Sequence, residues 1–229
     1  MTSTLAGSSD DVHQRLRQAC LRAGRAEGTV QVIAVTKFKS PDLIREAAQL
    51  GYQSFAESRV QEAQTKFQDP ALRALGTWHF IGHLQSNKAR LAAELFDVIQ
   101  TVDSLALAHK LSAAAGALSK TLRVYAQINI SAEPQKHGLD LSSAAHETQQ
   151  IARLPHLNLE GLMGMAAATE DPQDARPAFK ALHQLRLSLA QDLGPLKTSM
   201  GMSHDFEVAI EEGADLVRLG TILFGDRPA

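Results

Sequence analysis

The chain has 229 residues and a mass of 24.7 kDa, with 44% AVILMFWYC and 21% charged residues. This is the make-up of a globular protein of one large domain or two small ones, and it excludes a disordered chain. Its 23 basic and 25 acidic residues leave a net charge of −2, which gives no electrostatic footing for nucleic acid. There is no apolar run of about 18 residues to span a membrane, and the single cysteine, Cys20, excludes an intramolecular disulfide or a multi-thiolate metal site.

Residues 1–9 are small and polar and read as a tail. They lack the basic and apolar regions of a signal peptide, so the cytoplasm is the expected compartment. Asp10 is expected to cap a helix running to about Ala23, with Val12, Leu16, Ala19 and Cys20 on one apolar face. On that face Cys20 reads as a small buried hydrophobe rather than a reactive thiol.

From Val30 onward a unit repeats: a short β-branched apolar run, a polar turn, then a helical pattern. The runs are 30–36, 53–56, 78–81, 98–101, 122–130, 159–165, 197–200 and 216–219. Helical patterns fall near 42–50, 58–68, 86–95, 104–118, 141–153, 174–191 and 204–212. Ser40-Pro41 and Asp103-Ser104 are helix-start signals, and Gly51, Gly116 and Gly213 lie at helix ends. Strands alternating with helices imply a parallel sheet, and eight such units close a (β/α)₈ TIM barrel. The expected organisation is a tail, 1–9, and one α/β barrel domain, 10–229, with an extra N-terminal helix. An open doubly wound sheet is the runner-up. It calls for a glycine-rich turn after the first strand, where this chain has Lys37-Phe38-Lys39-Ser40.

In either architecture ligands gather at the carboxyl ends of the strands. Lys37 ends the first run, either snorkelling to the rim or partly desolvated and able to attack a carbonyl as the free amine. Lys39 reads as solvated, as do Glu57, Ser58, Arg59, Gln61 and Glu62 after the second run. His79 and His83 stand four apart in a strand-to-loop segment rather than on a helix, so no metal is expected there. Gly161 and Gly164 leave room either for a bulky ligand or for tight packing. The loop Thr198–Ser203 enters a helix with hydroxyls and free N–H groups, and Leu216–Thr221 places Arg218 in an apolar strand before Gly220-Thr221. Loops after the seventh and eighth barrel strands often bind phosphate. A buried arginine needs a partner, either a ligand atom or a carboxylate from a neighbouring strand.

Five segments, VIAVTKF, HFIGHLQSNK, GLMGM, SMGMS and VRLGTILFG, occur in this order from Val30 to Gly225. Together they resemble the pyridoxal 5′-phosphate (PLP) homeostasis proteins, which look like the barrel domain of alanine racemase standing alone. The resemblance implies that Lys37 forms the internal aldimine with PLP and that Arg218 faces the pyridine nitrogen. It implies that Ser199, Met200, Gly220 and Thr221 hold the phosphate, that Met163 and Gly164 lie beside the ring, and that Lys136 is near the cofactor mouth. The family usually reads Gly-Glu-Asn where this chain has Ala56-Glu57-Ser58, so Ser58 is a shorter substitute for the asparagine.

The function so implied is a non-enzymatic PLP carrier or reservoir, with PLP-dependent apoenzymes as recipients and a monomeric or weakly dimeric state. The alternative is an amino-acid racemase. Two-base racemisation needs a second acid/base opposite the lysine, and both tyrosines, Tyr52 and Tyr125, are placed toward the far end of the barrel.

Overall fold

A computed structural model describes residues 4–131, 133 and 136–226. Nine strands form one sheet: β1 (Gln31–Val35), β2 (Ser54–Glu57), β3 (Thr77–Phe80), β4 (Val98–Val102), β5 (Leu122–Asn129), β6 (Leu139–Asp140), β7 (Leu157–Gly164), β8 (Lys197–Ser199) and β9 (Leu216–Leu219). All pair in parallel. The order is β4-β3-β2-β1-β9-β8-β7-β5-β6, and a further β4–β5 pairing closes the ring. Every strand except β6 is a stave of an eight-stranded barrel. The two-residue β6 is an extra rung on β5, pairing Ile128 with Leu139. Each of the eight staves falls within or against one of the eight apolar runs of the sequence.

Helices surround the barrel: α1 (Leu5–Arg22), α2 (Pro41–Gln49), α3 (Val60–Lys66), α4 (Pro70–Arg73), α5 (Ala89–Leu95), α6 (Leu105–Ala117), α7 (Ala144–Ala152), α8 (Arg176–Leu193), α9 (Phe206–Glu211) and α10 (Thr221–Phe224). The first helix corrects the expected start at Asp10. It begins at Leu5, where the Thr4 hydroxyl accepts the Gly7 N–H at 3.2 Å. The polar-looking stretch Gly7–Ser9 is helical because Leu5 and Ser9 extend the buried stripe of Val12, Leu16, Ala19 and Cys20. Ser9 also reaches the Tyr52 hydroxyl at 3.1 Å. Residues 1–3 of the expected tail, and 227–229, lie outside the described residues. Cys20 is buried, a core hydrophobe as expected.

Strand alternation divides the buried side chains into two sets. The outer set lies between sheet and helices and includes Phe55, Trp78, Phe96, Phe179 and Phe206; burying each large apolar side chain contributes about 1.5–3 kcal/mol. The inner set fills the barrel with Ile33, Val35, Ala56, Val98, Tyr125, Met163 and Leu216. The two glycines of β7 serve packing. A Cβ on Gly161 would lie 2.1 Å from the Lys197 carbonyl oxygen, and one on Gly164 would lie 2.6 Å from Ile130 Cδ1. Among the described residues no helix is long and apolar enough to cross a membrane.

Candidate functional site

β1 and β9 are neighbours, with Ile33 opposite Arg218, so the two strands deliver Lys37 and Arg218 to the same side of the barrel mouth. There a cavity of about 350 Å³ opens, within the roughly 300–1,000 Å³ range of small-molecule sites. Lys37, Arg218, Gly220 and Thr221 line it, together with Ser58, Ile81, Met165, Met202, Ser203 and His204.

The turn that carries Lys37 is built on buried charge. Phe38 adopts φ +62, a left-handed conformation that costs a bulky residue on the order of 1–3 kcal/mol. Its N–H donates to Glu62 Oε1 at 2.5 Å. Lys66 Nζ then ties the turn down. It donates to the Thr36 carbonyl at 2.8 Å, to Glu57 Oε1 at 2.7 Å and to Glu62 Oε1 at 2.8 Å. The Thr36 hydroxyl also donates to Glu57 Oε1, at 2.6 Å. Glu57 is fully buried, and burial pushes its carboxyl up, against the pull of Lys66 and Thr36. This corrects the reading of Glu57 and Glu62 as part of a solvated face: the charges are internal because they hold the β1 turn. Lys39 is not a free surface lysine either. Its Nζ donates to the carbonyls of Phe224, Gly225 and Asp226, each at 3.0 Å, and so fastens the end of α10.

Arg218 is 3% exposed. It forms no ion pair within 4 Å among the described residues, so the carboxylate alternative is not realised. One Nη donates to Ser199 Oγ at 2.8 Å and the other to the Gly164 carbonyl at 3.0 Å. Burial pushes its guanidinium down to about 10, which leaves it charged at neutral pH. Behind it runs a polar chain across the barrel. Ser199 Oγ donates to Gln100 Oε1 at 2.7 Å, and Gln100 Nε2 meets His79 Nδ1 at 3.0 Å. Burial pushes His79 down to about 3, so it stays neutral, and its Nε2 has no partner among the described residues.

The residues expected to hold a phosphate are not all at the cavity. Ser199 is fully buried and its hydroxyl is committed to Arg218 and Gln100; Met200 packs in the outer core. Neither lines the cavity. The second serine of SMGMS does. Gly201 turns the chain with φ +89 at a point where a Cβ would lie 2.6 Å from Ala209 Cβ, so glycine is required. Beyond it Ser203 Oγ accepts the N–H groups of Gly220 and Ile222, both at 3.3 Å. Ser203, Gly220 and Thr221 thus belong to the wall of the cavity that Lys37 also lines, with the Gly220 and Ile222 N–H groups gathered on the Ser203 hydroxyl. Met163 lies inside the barrel, and Gly164 contributes its carbonyl to Arg218 rather than a cavity wall; Met165, two residues past Met163 on the same face, reaches the cavity instead. Lys136 pairs with Glu133 at 2.7 Å and lines an adjoining chamber of about 240 Å³, which shares the Ile81 and Met165 wall. Both tyrosines are remote: Tyr52 bonds Ser9 beneath α1, and Tyr125 is buried inside the barrel, where burial pushes its phenol up.

Fold and site together define a single-domain barrel with a lysine just past the first strand and an arginine on the last. The chain belongs to the alanine racemase N-terminal domain family, which matches residues 9–228. More narrowly, its curated relatives are pyridoxal phosphate homeostasis proteins; the one from Pseudomonas aeruginosa is 41% identical, with 98% of this chain and 96% of the relative aligned. Among solved structures, PipY of Synechococcus elongatus with PLP bound superposes with a TM-score of 0.81 at 36% identity, covering 93% of this chain and all of that one. Alanine racemase of Clostridium difficile shares the fold, with a TM-score of 0.70 at 16% identity over 94% of this chain but 57% of its own.

Proposed function

We propose that this protein binds pyridoxal 5′-phosphate in the 350 Å³ cavity, holds it through Lys37, and serves as a carrier or reservoir in PLP homeostasis rather than as an enzyme. The observation that carries this reading is the meeting, around one cavity, of the primary amine of Lys37, the buried guanidinium of Arg218 and the hydroxyl-bearing loops of Ser203 and Gly220-Thr221. When bound, PLP supplies an aldehyde to which an amine attaches reversibly with loss of water.

The residues of this chain take distinct parts in that reading. Lys37 Nζ is the attaching amine, held in position by the Lys66–Glu57–Glu62 network under its turn. Ser203, Thr221 and the N–H groups of Gly220 and Ile222 receive the phosphate. Arg218 faces the ring nitrogen and, being donor-only, cannot take a proton from it or serve as a base. The ring nitrogen then lacks the carboxylate partner that would keep it protonated and make the ring a strong electron sink. No tyrosine reaches the mouth to act as the second acid/base of a racemase, which favours the carrier over the enzyme. PLP-dependent apoenzymes are the proposed recipients, and the cytoplasm the proposed setting.

Borohydride reduction of the PLP-loaded protein followed by peptide mapping tests the assignment. The label is expected on Lys37 and is expected to vanish in Lys37→Ala, with weaker, non-covalent PLP binding left. A label on Lys136, or one that survives Lys37→Ala, would refute the role of Lys37.

A further inference from the structure

The loops after β3 and β4 and the loop between β5 and β6 bring His83, Asp103 and His137 together at the rim of the second chamber. We propose that these three side chains form a binding site for a divalent transition-metal ion, Zn²⁺ being the representative case. His83 Nδ1 lies 3.3 Å and His137 Nδ1 lies 3.8 Å from the same oxygen, Asp103 Oδ2. One donor atom from each residue falls within 4.8 Å of the others; tetrahedral zinc with bonds of about 2.0–2.2 Å sets its ligands roughly 3.4 Å apart, so the His83–Asp103 pair is already at that spacing and His137 has to move in by a few tenths of an ångström or more. The imidazoles stack at 3.7 Å with 12° between planes. Their lone pairs converge on one ion once the rings tilt apart. Both side chains are about half exposed, 47% and 57%, so that movement is open to them. Asp103, by contrast, is 11% exposed and held by the Ser104 hydroxyl on its other oxygen. Among the described residues no lysine or arginine lies within 4 Å of it, and these two imidazoles are its ionisable neighbours.

A second observation points into the same chamber. Thr101, on β4 two residues before Asp103, lines the 240 Å³ space with His83 and His137. Its hydroxyl is buried and has no hydrogen-bond partner among the described residues. A hydroxyl left dry costs on the order of 1–3 kcal/mol. A three-ligand metal site keeps a coordination position for water, and that water would supply the partner Thr101 lacks. Two imidazoles and a carboxylate suit Zn²⁺, Ni²⁺ or Cu²⁺, while Mg²⁺ and Ca²⁺ prefer oxygen-only shells. The spacing of His79 and His83 in the sequence gave no hint of this, since His79 is buried on the strand and the partner of His83 comes from a different loop.

The test uses the full chain without an affinity tag, both PLP-free and PLP-loaded, dialysed against Zn²⁺ and, separately, Co²⁺. One ion per chain is expected in both forms, with visible Co²⁺ bands of tetrahedral intensity and no competition from Mg²⁺ or Ca²⁺. The double variant His83→Gln/His137→Gln, altered only at half-exposed positions, is expected to lose roughly a hundredfold or more in Zn²⁺ affinity, and Asp103→Asn roughly tenfold. Unchanged binding in the double variant, or binding seen only when PLP is present, would overturn the proposal, as would the lack of saturable Zn²⁺ uptake by the wild type.

Discussion

Replacing Lys66 by methionine isolates the support beneath Lys37. The substitution keeps the volume of the stem but removes the ammonium that touches Thr36, Glu57 and Glu62. Glu57 is then a fully buried carboxylate with the Thr36 hydroxyl as its remaining named partner. Breaking a buried pair in this way costs about 3–5 kcal/mol. At roughly 2–4 °C per kcal/mol for a chain of this length, Tm should fall by roughly 6–20 °C. The loss should depend on pH. Burial already pushes the Glu57 carboxyl above its unfolded value, so the native state holds that proton more tightly than the unfolded chain does. Stability is therefore lost as pH rises from the unfolded carboxylate value, about 4.3, through the higher folded value. Without Lys66 that window widens upward, and Lys66→Met should be closest to wild type in mild acid and furthest from it above neutrality. Adding Glu57→Gln should recover most of the loss and flatten the pH dependence. Thermal denaturation followed by circular dichroism at several pH values reads all of this. A Tm within about 2 °C of wild type at every pH would show that the ion pair does not hold the turn.

Ser203→Ala and Thr221→Ala should each weaken PLP by about tenfold or more, since hydrogen bonds to a charged group contribute roughly 1.5–3 kcal/mol; pyridoxal, without the phosphate, should be nearly unaffected in titrations followed by absorbance, and equal weakening of both ligands would place the phosphate elsewhere. Ser199→Ala should leave the phosphate contribution intact and instead loosen Arg218, so its PLP-to-pyridoxal affinity ratio should match the wild type. Arg218→Glu offers a carboxylate to the ring nitrogen and should give slow exchange of the Cα proton of alanine in heavy water, detectable by NMR, where the wild type gives none; brisk wild-type exchange would argue for an enzyme.

The barrel was readable from the chain because the staves are short apolar runs bounded by turn residues, and eight of them alternate with helical patterns. Lys37 and Arg218 stood out for a related reason: a charge at the end of, or inside, an apolar strand is rare enough to notice. What stayed hidden depends on which way a side chain turns. The sequence SMGMS holds two serines, and only the left-handed bend at Gly201 decides that Ser203 reaches the mouth while Ser199 turns inward. Glu57, Glu62 and Lys66 look like a helix face in water until the packing of α3 against β1 and β2 brings them under one turn. Gly7, Ser8 and Ser9 look like a frayed end, and a single cap at Thr4 winds them into α1.

The chain of polar groups beneath the cavity has a sense of direction. A guanidinium can only donate, so Ser199 must accept from Arg218 and pass its own proton toward Gln100. The Gln100 amide, with its oxygen taken, must turn its NH₂ to His79, whose Nδ1 is thereby the acceptor and whose Nε2 carries the hydrogen. Every hydrogen bond in the row therefore runs away from Arg218, and the Ser199 hydroxyl cannot turn back toward it while the guanidinium keeps its protons. The floor of the barrel therefore offers the cavity no proton acceptor along this row: Arg218 can only donate into it, and the groups behind Arg218 are already paired with one another.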